Sequence, residues 1–161
     1  MKLYFLRHAT ATDIAPTDEA RALTPHGEAE AKSAGLALGK LGAKLTHIGC
    51  SPLLRARQTA AIVATTLQFA GKVEPLEELV NGAPTLLLLQ AIKARTGVKE
   101  MLLVGHMPSL AGHLSELVFE IPASRAGFTP AGAACVELAH LKLNAGRLLW
   151  FKPHSELAKS A

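Results

Sequence analysis

The chain has 161 residues, 49% of them hydrophobic and 19% charged, which matches one compact domain spanning 1–161 and excludes a disordered or low-complexity segment. Seventeen Lys and Arg against 13 Asp and Glu leave a net charge of +4, which suits an anionic partner. There is no basic block and no interleaving of basic with aromatic residues to favour nucleic acid, no stretch of about 18 apolar residues to span a membrane, and only a short apolar run before Arg7.

In chain order, Lys2 to Leu6 reads as a buried strand that stops at Arg7-His8, and a polar loop follows from Thr10 to Arg21. Thr24-Pro25 predicts a helix start, with Ala31, Ala34, Leu38 and Leu41 on its apolar face and its end near Gly42. His47 to Cys50 is a second strand. Ser51-Pro52 repeats the cap-then-proline start, before a helix with Ala56, Ala60, Val63 and Leu67 on one side. An extended piece at Lys72 to Pro75 and a turn at Asn81-Gly82 lead to a helix of about Pro84 to Arg95.

Glu100 to Val104 is a third strand, ending in Gly105-His106. Met107-Pro108-Ser109 opens a helix with the stripe Leu110, Leu114, Leu117 and Val118. After a loop at Pro122 to Pro130, strands Ala134 to Leu141 and Arg147 to Lys152 join through Asn144-Ala145-Gly146. Alternating strands and helices predict a three-layer α/β/α sandwich on a mostly parallel sheet with an antiparallel C-terminal edge.

In such sheets ligands bind beyond the carboxyl ends of the strands. Three strand ends carry Arg7-His8, Arg55 and His106, two guanidinium groups and two imidazoles without a matched acid in the same motifs. The planar fork of arginine matches phosphate oxygens, so Arg7 and Arg55 read as a phosphoryl clamp. With Ser51 as cap, Arg55 sits in the first turns, and the helix N-terminus is expected to add unpaired amide donors. Arg57 lies about 200° further round and is expected to face solvent.

Arg7-His8-Ala9, Ser51-Pro52 with Arg55-Ala56 and Gln58-Thr59-Ala60, and Val104-Gly105-His106-Met107-Pro108 together resemble the histidine phosphatase superfamily, the phosphoglycerate-mutase-like fold. Asp18, Arg21, Leu23-Thr24-Pro25-His26-Gly27 and Gly146-Arg147-Leu148-Leu149-Trp150 with Pro153 resemble its short branch, the SixA-type phosphohistidine phosphatases. The likeness runs from Lys2 to about Leu157. Ala9 departs from the more frequent glycine.

The resemblance implies that His8 is the nucleophile and forms a transient phosphohistidine, while Arg7, Arg55 and His106 hold the phosphoryl oxygens and Arg21 assists binding. It implies no metal and no cofactor. The stretch between Arg55 and His106 has no room for the inserted helical subdomain of larger members, so an open cleft suits a phosphorylated protein, such as a histidine phosphotransfer domain, better than a small phosphate ester. For a proton donor, Glu77, Glu78 and Asp18 are the candidates, each with a surface-acid reading of equal weight.

The other readings are a small-metabolite phosphomonoesterase with the same residues and a non-catalytic module that binds phosphorylated proteins. The remaining histidines lack zinc-helix spacing. Gly35, Gly39 and Gly42 read as helix packing rather than a phosphate loop. Cys50 and Cys135 read as buried reduced thiols in a cytoplasmic protein. The run Leu86 to Leu89 reads as core with a partly exposed edge.

Overall fold

The structure is a computed structural model and describes residues 1–118 and 127–161. Its elements follow in the order β1 (Lys2–Arg7), α1 (Pro25–Lys40), β2 (His47–Cys50), α2 (Leu54–Thr66), β3 (Val73–Pro75), α3 (Thr85–Lys93), β4 (Glu100–Gly105), α4 (Ser109–Leu117), β5 (Ala133–Leu138), β6 (Gly146–Lys152) and α5 (His154–Leu157). The sheet order is β3-β2-β4-β1-β5-β6. β3, β2, β4 and β1 pair in parallel, and β5 runs against both of its neighbours.

The alternation of side chains along β1 makes the three layers visible. Leu3 and Phe5 point to one face, where Leu88, Ile92, Leu110 and Leu114 of α3 and α4 cover them. Tyr4 and Leu6 point to the other, packed with Ala34 and Leu38 of α1, Val63 of α2 and Leu157 of α5. A central strand is apolar where it is buried on both faces, as Leu3 to Leu6 of β1 are. Every βα connection therefore returns at the same edge of the sheet. That edge carries Arg7, Cys50 and Gly105, the last residues of β1, β2 and β4.

The start of α1 is as expected, with the Thr24 hydroxyl accepting from the Gly27 N–H at 3.0 Å and Pro25 in the first turn. Gly27 has a second role: a Cβ there would stand 2.0 Å from the Thr10 carbonyl oxygen, so the helix could not approach the loop after β1 with any other residue. Gly35 is likewise a packing glycine, since a Cβ would meet the Thr66 Cβ of α2 at 2.9 Å.

Three expectations need correction, and two short elements were not anticipated. Ser51 does not cap α2: the helix begins after Leu53, which makes no side-chain cap, because the Ser51 hydroxyl is engaged by His106. β5 stops at Leu138 rather than Leu141, and residues 139–145 form a longer connection held by the Asn144 N–H bond to the Glu116 carbonyl. Leu41 lies past the end of α1 and is 37% exposed. α5 and the 3-10 turn Ala158–Ser160 carry too few residues for a periodic pattern to announce them.

Residues 122–126 of the loop expected at Pro122 to Pro130 lie outside the described residues. Cys50 and Cys135 are buried and unpaired. Leu88 and Leu89 are core while Leu86 and Leu87 are exposed. Among the described residues, no helix is long and apolar enough to cross a membrane.

Candidate active site

His8 is the first residue past β1. Its N–H donates to the Gly105 carbonyl at the end of β4 and its carbonyl accepts the Ala131 N–H, so the backbone is fixed between two strands' ends. The ring is 9% exposed. Its Nδ1 lies 2.8 Å from its neighbour's carbonyl, Ala9 O. A carbonyl can only accept, so Nδ1 carries the proton and Nε2 keeps a free lone pair. That lone pair receives the Arg55 Nε–H at 3.3 Å.

Arg55 stands in the first turn of α2 and is buried. Its remaining nitrogens reach into the loop after β1: Nη1 donates to the Asp18 carbonyl at 2.7 Å and Nη2 to the Asp18 carboxylate at 3.0 Å. Thr59 ties this helix to the loop after His8, donating to Arg55 O at 2.7 Å and accepting the Ala9 N–H at 3.1 Å. The N-terminus of α2 is less open than expected, because the Leu54 N–H is taken by the Glu19 carbonyl.

His106 follows β4 and packs its ring 5.0 Å from that of His8, centroid to centroid. Its Nε2 lies 2.7 Å from Ser51 Oγ. The turn after it is clasped by Asn81, whose amide donates to Met107 O and accepts from the Ser109 N–H. Arg7 completes the group, with Nη1 bonded to Phe128 O at 2.8 Å. Among the described residues, Arg7 Nε and His106 Nδ1 are buried without a hydrogen-bond partner. Buried polar atoms are rarely left without a partner, and Arg7 Nε is a charged donor of the kind that an anion can satisfy.

The electrostatics follow from the same packing. Burial holds the His8 pKa down to about 4, helped by the charges of Arg55, Arg7 and Arg21 and opposed by the Ala9 carbonyl. Burial likewise lowers His106 to about 4, followed by His8 and Arg55. Both imidazoles are therefore neutral at pH 7.

The structure brings Arg7, His8, Arg55 and His106 together. Arg21 stands in the adjoining loop, bonded to the Thr12 carbonyl and paired with Asp13 and Asp18. Asp18 is exposed, and its hydrogen bonds to Arg55 and Arg21 hold its carboxyl below the usual range. Glu77 lines a groove of about 630 Å³ with Pro52, Leu54 and Arg57, to which none of the four contributes. Glu78 is half-buried in the same 3-10 turn. Arg57 is exposed, as its helix angle requires. Sequence reasoning did not find the contacts of Ser51, Thr59 and Asn81; Ser51 was read as a cap, Thr59 lay within a quoted motif without a role, and Asn81 was read only as a turn residue.

Residues 3–83 match the family described as the histidine phosphatase superfamily (branch 1). The phosphohistidine phosphatase SixA of Escherichia coli K12 is 31% identical over 116 residues, 71% of each chain. A solved structure of the protein histidine phosphatase SixA complexed with tungstate has a TM-score of 0.87 at 28% identity, covering 98% of this chain and 99% of that one. The α-ribazole phosphatase of Shigella flexneri shares the fold, with a TM-score of 0.74 at 15% identity over 96% and 97% of the two chains.

Proposed function

The chain belongs to branch 1 of the histidine phosphatase superfamily, and from that premise we propose that it is a phosphohistidine phosphatase working through a covalent phospho-His8 intermediate. The observation that carries this reading is the His8 ring, held by Ala9 O with its Nε2 lone pair turned toward Arg55. A nucleophile must be unprotonated where it attacks, and the ring is neutral at any pH above about 4.

In the first step the His8 Nε2 lone pair attacks phosphorus and the bond from phosphorus to the substrate imidazole nitrogen breaks, its electron pair returning to a substrate ring that is protonated on its other nitrogen and so departs as neutral imidazole. Arg7, Arg55 and His106 donate to the phosphoryl oxygens as charge redistributes, which is the main protein contribution in such transfers. In the second step a water attacks phospho-His8, releasing inorganic phosphate and restoring the lone pair. A substrate imidazole takes the proton on its other nitrogen from solvent, with a free pKa of about 6.5, and so demands less donation at the breaking bond than an alkoxide. Asp18, held ionised by two arginines, is accordingly not required as an acid. The reaction as proposed needs no metal ion.

A protein substrate is favoured because residues 67–99, between α2 and β4, form only β3, a 3-10 turn and α3, with no helical insertion above His8. The similarity to SixA proteins supports the same class. The test is a comparison of kcat/KM on a phosphohistidine protein, phosphoserine and small phosphate esters, with and without chelator. A preference for the phosphohistidine protein that survives chelation is expected. A stronger preference for the esters would replace this reading by a metabolite phosphatase, and lost activity in chelator would end the metal-free account.

A further inference from the structure

Ser51, the first residue after β2, is fully buried. Its Oγ has two partners: it accepts the Leu53 N–H at 3.3 Å and lies 2.7 Å from His106 Nε2. A hydroxyl has one proton to give. Were the His106 ring proton on Nε2, Ser51 Oγ would accept twice, and its own proton would have no acceptor among the described residues. His106 Nδ1 would then present a lone pair inside a cluster of cations gathered for an anion. With the proton on Nδ1, every group is matched: Leu53 N–H to Ser51 Oγ, Ser51 Oγ–H to His106 Nε2, and Nδ1–H left as a buried donor with no partner of its own.

We propose that Ser51 is a positioning residue that fixes His106 in the Nδ1–H tautomer, so that a neutral imidazole in the cluster always presents a donor. The inference rests on the phosphatase reading only for what that donor meets, the phosphoryl oxygen; the tautomer itself belongs to the free protein. The chain of bonds spans two strand ends. Ser51 N–H donates to the Val104 carbonyl, so β2 and β4 hold the serine and the histidine in one register. Ser51 thus serves a histidine at the end of the neighbouring strand rather than the helix it was expected to cap. A neutral donor has one advantage over a charged one: it loses no proton to the departing phosphate.

Two readouts test this. Ring 15N spectra of the full-length free protein with 15N-labelled histidine, at pH 7, are expected to show His106 protonated on Nδ1, and Ser51→Ala is expected to move the proton wholly or partly to Nε2. A double-mutant cycle supplies the second. The amide of His106→Asn sits close to where Nδ1 was and needs no tautomer, so Ser51→Ala is expected to lower kcat/KM on a phosphohistidine peptide about tenfold in the wild-type background and less than about twofold in His106→Asn. A purely structural serine would cost the same in both. If Ser51→Ala does not fold, Ser51→Cys, which keeps the volume with a weaker donor, takes its place in both arms. An Nε2–H signal in the wild type, an unmoved tautomer in the variant, or equal losses in the cycle would overturn the proposal. Wild-type protein that turns over no phosphohistidine would defeat the phosphatase reading instead, leaving the spectra to decide the tautomer.

Discussion

Arg55 Nε donates to His8 Nε2 across 3.3 Å, long for a hydrogen bond. The contact orients the lone pair without committing it. On the proposed reading, a phosphoryl group arriving between the two takes the Arg55 Nε–H for its own charged oxygen in place of a neutral ring nitrogen, and Nε2 is then free for phosphorus. On that reading the guanidinium that restrains the resting His8 ring also binds the group that His8 attacks.

The depressed pKa values fix a pH profile. His8 and His106 both fall from an ordinary 6.5 to about 4, chiefly through burial. On a phosphate ester stable in acid, kcat/KM should show no loss from these groups between pH 8 and 5 and a steep loss toward about 4. An acid limb centred near 6.5 would contradict the buried, neutral nucleophile. Between about 4 and 6.5 the unfolded chain binds more protons than the native one, so this part of the stability is full above 6.5 and is lost as pH falls through the window. The urea midpoint should drop from pH 7 to pH 5.

Asp18 occupies two donors of Arg55 while no anion is bound, one through its carboxylate and one through its carbonyl. Asp18→Asn removes only the charge and keeps the carbonyl contact. Competitive inhibition by inorganic phosphate should tighten about threefold, a modest change because the carboxylate is exposed and screened. An unchanged or weaker inhibition constant would mean that Asp18 does not compete with phosphate for Arg55.

Thr59 satisfies the Ala9 amide and the Arg55 carbonyl with one hydroxyl. Thr59→Val keeps the shape and strands the buried Ala9 N–H, at a cost of about 1 to 3 kcal/mol. Urea unfolding should show that loss with an unchanged m-value, and kcat should fall as the nucleophile's loop loosens. Full stability in the variant would show that the hydroxyl bridge contributes nothing.

Gly27→Ala places a methyl against a backbone carbonyl, that of Thr10, which no rotamer change can relieve. The loop two residues from His8 must move. A destabilisation of about 1 to 3 kcal/mol is expected, with reduced kcat at pH 7. An alanine variant of native stability and activity would refute the packing account.

The parts of the fold legible in the sequence were those governed by periodicity: β1 and β4 as apolar runs, α1 and α4 as stripes, and the Thr24-Pro25 start. Arg7, His8, Arg55 and His106 were legible because a parallel sheet delivers the ends of its strands to one edge. Ser51, by contrast, was misread as a cap, since a serine before proline at a helix start carries the same local signal whether its hydroxyl turns to the helix or to a histidine 55 positions away. The engagement of Arg55 by Asp18 depends on how the polar loop folds back, and no spacing rule encodes that. The hairpin ended early for a similar reason: Leu141 and Leu143 continue the apolar pattern of β5 but pack against the neighbouring core from a loop.

The central claim is that phosphorus is transferred to His8. Rapid quench of the enzyme with a 32P-phosphohistidine protein, within the first turnover, should trap an acid-labile, alkali-stable phosphate adduct that maps to the peptide containing His8, and His8→Ala should give none. Turnover at the wild-type rate without such an adduct, or an undiminished adduct in His8→Ala, would contradict the account.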